Sequence, residues 1–148
     1  MNATELISFF ERDLNRLIVE IESYKNEANI WRIEKQVSNS AGNLALHLIG
    51  NLNALIGKEI GNTNYVRNRE LEFSQKNISR THLIEAIRET IKMVSDSLVT
   101  LTEEDLKKDY PILKFSEITS TSYLLVHLTT HLSYHLGQIN YHRRLLED

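Results

Sequence analysis

Apolar residues recur at helical intervals in four separate stretches of the chain. Leu6, Phe10, Leu14, Leu17, Ile21 and Tyr24 are spaced by four, four, three, four and three, which predicts an amphipathic helix over about 4–25. Ser38, Asn39 and Ser40 offer capping side chains for a second helix. Its stripe runs through Ala41, Leu44, Leu48, Leu52 and Leu55 and stops near Gly57 or Gly61. Thr81 can cap a third helix bearing Ile84, Ile87, Ile91, Val94 and Leu98. A fourth starts near Thr119 or Ser120 and runs to the C-terminus, with Leu128, Leu132, Leu136, Ile139 and Leu146 on its apolar arc. Strand signals are weak everywhere, so the pattern predicts an all-α fold of one domain over 1–148.

The connections are uneven. Residues 61–80 exceed the usual 2–8 residues between helices, so this segment can run the length of a bundle and set two neighbouring helices parallel. A simple up-down-up-down order is then disfavoured. Residues 102–118 hold the single proline, Pro111, and one helical turn at 103–106.

Composition narrows the chemistry. A 148-residue chain without cysteine can build a core without disulfides, and it has no thiolate metal site, cysteine nucleophile or redox dithiol. Lys and Arg number 17 against 20 Asp and Glu and are scattered, so there is no electrostatic footprint for nucleic acid. No apolar run is long enough to span a bilayer, and the start MNATELISFF lacks the basic region of a signal peptide. A cytoplasmic protein is expected.

The candidate chemistry lies in the histidines. Of six, His127, His131, His135 and His142 share one sector about 80° wide on the last helix, with Gln138 inside it. Leucines bound the sector on one side and Tyr134 and Tyr141 on the other, while Thr129, Ser133, Asn140 and Arg144 fall on the arc assigned to solvent. The histidines are therefore expected to point inward or into a cleft. Imidazoles spaced i, i+4 can reach a common ion at about 2.0–2.1 Å, which permits either His127 with His131 or His131 with His135. A third ligand must come from another helix, and His47 is the one histidine inside the second.

A plainer reading stands beside each residue. Single histidines such as His82 and His142 are more often satisfied polar groups at the edge of a core. His47 shares a narrow polar stripe with Asn43, Asn51 and Lys58, which suits a solvated face or a polar cavity inside the bundle equally well. The charged run with Arg67, Arg69, Glu70 and Glu72 reads as a solvated loop of local ion pairs, and only secondarily as an anion-binding rim. Gly137 interrupts the last helix at a cost near 1 kcal/mol, which close approach of another backbone would explain.

The run HLSYHLGQINYHRRLL, with His131 and His135 followed by Leu136, Gly137 and Gln138, resembles the His-x-x-x-His-x-Gly-Gln ending of the DinB-like (YfiT-related) bundles. NSAGNLALHLIGNL around His47 and the segment YVRNRELEF look like a small bacterial subfamily of unknown function within that superfamily. The resemblance implies a four-helix bundle with a long crossover between helices two and three. It also implies one divalent ion held by His47, His131 and His135, with water completing the shell. Relatives of known activity are metal-dependent thiol transferases and isomerases, and many are homodimers. His127 and His142 are additional to that triad.

Two functions follow as expectations. One is a metal-dependent enzyme of the thiol S-transferase type, or a related hydrolase or isomerase. Zinc or nickel would lie at three imidazoles, the sulfur would come from a small-molecule cosubstrate, and His127 would orient a ligand or act as base. The other is a non-catalytic dimeric bundle that binds metal or a small ligand, for instance under stress. A homodimer is expected because Leu46, Ile49 and Ile56 lie outside the central stripe of helix two.

Overall fold

A computed structural model describes residues 1–147 and is all-helical, with capping side chains where the sequence signals placed them or close by. Helix α1 spans Ala3–Ser23. Asn2 Oδ1 accepts from the Glu5 amide at 2.9 Å and Glu5 Oε2 accepts from the Asn2 amide at 2.8 Å, a reciprocal cap that satisfies two otherwise orphaned donors. Its stripe from Leu6 to Ile21 is buried, and a short 3₁₀ turn at Glu27–Trp31 then brings Ile30 and Trp31 into the core.

Helix α2, Ala41–Leu52, is capped by Ser40 and continues as a wider π-helical turn over Asn53–Lys58. Within that turn the Leu55 carbonyl accepts the Tyr110 hydroxyl at 2.7 Å. After α3, Arg69–Ser74, come α4 over Arg80–Leu98, α5 over Glu103–Lys107 and α6 over Thr121–Leu146. Ser79 rather than Thr81 caps α4, so that helix begins one turn-fraction earlier than the sequence suggests. An isolated antiparallel bridge between Asp109 and Ser120 ties the proline-containing loop to the start of α6.

Helices α1 and α2 each pack against both α4 and α6. Phe10, Leu14, Leu17, Leu48, Leu52, Ile87, Leu128 and Leu132 fill the space between them. Each such side chain contributes about 1.5–3 kcal/mol by leaving water. Among the described residues no helix is long and apolar enough to cross a membrane.

The charged run inside the 61–80 segment departs from the expectation of a solvated loop. The segment contains α3, which docks on α2 and encloses the side of that helix left open by α4 and α6. The apolar positions outside the central stripe are covered within one chain: Ile56, in the π turn, is fully buried, and Leu46 and Ile49 pack on the core from half-buried positions. The docking is polar and specific. Buried Asn43 donates through Nδ2 to the carbonyls of Glu72 at 2.9 Å and Gln75 at 2.8 Å. Its Oδ1 accepts from Ser40 Oγ at 2.8 Å and Lys76 Nζ at 2.5 Å.

Two other details of the surface differ from the sequence reading. Tyr134 and Tyr141 are exposed, while Thr129 and Asn140 on the presumed solvent arc are half-buried. Among the described residues no atom beyond its two neighbours and its own helix backbone lies within 4 Å of where a Gly137 Cβ would stand, so close approach of another element of the chain does not explain this glycine.

Candidate metal centre

The i, i+4 spacing on α6 brings His131 and His135 together edge to face, with their Nε2 atoms 3.2 Å apart. From α2, buried His47 places its own Nε2 3.2 Å from that of His131. The three side chains offer ligand atoms that all lie within 4.8 Å of one another. Tetrahedral binding at about 2.0–2.1 Å sets nitrogen ligands about 3.3–3.4 Å apart, which the two shorter separations approach. Asn43 and His47 of the polar stripe thus face α3 and α6 and Asn51 is buried with them; of the four only Lys58 is solvated.

The far ring nitrogens decide the protonation pattern. His47 Nδ1 lies 3.1 Å from Glu72 Oε1, and an ionised carboxylate only accepts, so Nδ1 carries the hydrogen and Nε2 presents a lone pair. His135 Nδ1 lies 2.6 Å from Gln138 Oε1, and with the amide in this orientation its oxygen accepts the Nδ1 hydrogen. Two lone pairs therefore point at His131 Nε2. A proton on that atom can satisfy one of them, whereas a divalent cation between the rings satisfies all three nitrogens. The residues fit a metal on this ground, although ligation through Nε2 leaves the His131 Nδ1 hydrogen buried with no acceptor among the described residues.

Electrostatics favour the ligating, neutral form. Burial holds His131 down to about 4, with the neighbouring His135, His47 and His127 adding to the shift. Burial likewise lowers His47, against the opposing hydrogen bond from Glu72.

Glu72 and Arg67 correct the sequence reading. Glu72 is buried, and Arg67 forks it with Nε 2.9 Å from Oε2 and Nη2 3.0 Å from Oε1. Arg69 and Glu70 remain exposed, as expected of the run. Nothing in the charge pattern separates the inward pair from the outward one. The usable signal is Asn68 as an N-cap ahead of a short helix, which turns Glu72 towards α2.

The remaining histidines have other settings. His127 stands one turn before His131, its ring 4.8 Å from that of Phe115, and burial lowers its pKa, as does Lys114. His142 is buried; its Nε2 donates to the Arg32 carbonyl at 2.8 Å, so its Nδ1 accepts the Tyr24 hydroxyl at 2.6 Å. It ties α6 to the end of α1 and to the connector that follows. His82 is exposed in the first turn of α4. Beside the cluster a cleft of about 400 Å³ opens between residues 36–39, Leu44 and the α6 side chains His135, Gln138 and Tyr141.

Fold and site together define an all-helical protein with three converging imidazoles beside an open cleft. The chain belongs to the family described as Protein of unknown function (DUF1572), whose model matches residues 4–148. Comparison with curated proteins gives no match.

Proposed function

We propose that this chain is a divalent-metal protein in which His47, His131 and His135 hold one zinc or nickel ion. The observation that carries the reading is the convergence of three Nε2 atoms, with the far nitrogens of His47 and His135 fixed as donors by Glu72 and Gln138. We read α1, α2, α4 and α6 as a four-helix bundle with the α3-bearing crossover between α2 and α4, the arrangement implied by the resemblance to the DinB-like superfamily.

The chemistry we assign is metal-dependent transfer of the thiol S-transferase type. A bound ion would act as a Lewis acid and lower the pKa of a coordinated water or thiol. The chain supplies no cysteine, so the sulfur belongs to a cosubstrate. Neutral imidazoles hold the centre, Gln138 and Glu72 keep two of them oriented, and neutral His127 is available to exchange a proton one turn away. The cleft against His135 supports a centre that admits a ligand over a sealed storage site.

We also propose a homodimer, with its interface on the outer face of α6 rather than on α2. Exposed Tyr134 and Tyr141 flank Gly137 there, and Val19 of α1 lies alongside. The space left by Gly137 suits the close approach of a second copy.

Elemental analysis of untagged protein tests the metal reading. One zinc or nickel per chain is expected. Protein that carries no metal and takes up none from zinc-containing buffer would overturn it.

A further inference from the structure

The 61–80 crossover is more than a strap joining two helices, because three observations seat one of its side chains behind His47. Glu72 is 6% exposed, and its Oε1 receives the His47 Nδ1 hydrogen at 3.1 Å. Arg67, on the same segment, fixes the carboxylate's orientation by taking both oxygens, at 2.9 and 3.0 Å. On α2, Gly50 leaves the space the carboxylate occupies: a Cβ there would stand 2.0 Å from Glu72 Oε2 and 2.5 Å from its Cδ. Glycine inside a helix is disfavoured against alanine, and the seated carboxylate is the reason the position requires it.

We infer that α3 is part of the metal site: Glu72, seated over Gly50 and forked by Arg67, is the positioning residue that holds the His47 imidazole with Nε2 towards the centre. The inference rests on the metal reading proposed above. A metal-bound imidazole commonly donates its other N–H to a carboxylate, which fixes the ring and raises its basicity. The coupling runs both ways, since whatever α3 contributes to metal affinity, bound metal returns to the docking of α3. His131, whose far nitrogen has no partner among the described residues, lacks such a support, so the burden of orientation falls on His47 and His135.

Zn²⁺ affinity of the full, untagged chain, measured by competition with a chromophoric chelator, provides the test. Glu72→Ala is expected to weaken Zn²⁺ binding by about 10–100-fold. Glu72→Gln keeps an acceptor for the Nδ1 hydrogen and should recover part of that loss. Gly50→Ala retains the carboxylate but expels it from its seat, and should lose affinity like Glu72→Ala. On the wild-type chain, hydrogen exchange supplies a readout that needs no variant to fold: saturating Zn²⁺ should slow exchange of the α3 amides, and should not do so in His135→Ala. Wild-type Zn²⁺ affinity in Glu72→Ala, or α3 exchange indifferent to Zn²⁺ in a wild-type chain that binds it, would overturn the inference and leave the metal reading standing. A wild-type chain that binds no Zn²⁺ removes both.

Discussion

The ring of His127 stacks on that of His131 with centroids 6.3 Å apart and planes inclined by 27°. His135 meets the same ring at 4.6 Å and 88°, with its Nε2 directed at His131 Nε2. Of the two i, i+4 pairs the spacing allows, the second converges on a common point. His131→Ala and His135→Ala should each lose most Zn²⁺ binding by calorimetric titration, whereas His127→Ala keeps about one ion per chain. Stoichiometric binding in His135→Ala together with its loss in His127→Ala would reverse the assignment.

Stability of the metal-free chain should fall in mild acid. Burial lowers His131 to about 4 and also lowers His47 and His142, whereas an unfolded histidine titrates near 6.5. As pH drops, the unfolded chain takes up these protons first. The contribution of the neutral imidazoles is therefore complete above about pH 7 and drains away between about 6.5 and 4. Urea midpoints at pH 7.5, 6 and 5 should descend in that order; a flat or rising series would contradict the shifts.

Gly42→Ala tests the packing of the α1–α2 connector. A Cβ at Gly42 would lie 2.6 Å from Trp31 Cε3, and the indole is buried against the core. The substitution should cost about 1–3 kcal/mol as an overpacked site. Trp31 is the single tryptophan, so its fluorescence reports both the unfolding midpoint and any displacement of the ring in the folded state.

The dimer is tested at Gly137. Light scattering at micromolar concentration should return twice the 17.2 kDa of one chain, and Gly137→Arg should return one chain's mass with helicity unchanged. A monomeric wild-type chain would refute the interface.

The fold and the site were legible in the sequence to different depths. Periodicity marked α1, α4 and α6 because each buries a stripe, and α2 because its leucines recur at helical spacing although the helix is buried nearly all round; the fixed rise of a helix set His131 beside His135. The inward aim of His47 was undecided, since Asn43, His47 and Asn51 form a stripe that water or α3 could equally cover. Glu72 was unreadable for a related reason. Its role depends on where a six-residue helix docks, which is fixed by the Asn43 side chain and the missing Cβ of Gly50, each distant from it in sequence. His142 had only the generic status of a polar group near a core, and its partners Tyr24 and Arg32 lie more than a hundred positions away.

The π-helical turn at Asn53–Lys58 closes its hydrogen-bonded rings one residue later than an ordinary helix does. It therefore holds a spare residue just after His47. A gene that lost one codon within this stretch could let the turn tighten to ordinary pitch, leaving the His47 half of α2 undisturbed against α6. The same loss between Ser40 and His47 has no slack to absorb it and would turn the imidazole by about 100° relative to the helix cap. Insertions and deletions among relatives should accordingly be found after Leu52 and be rare before it.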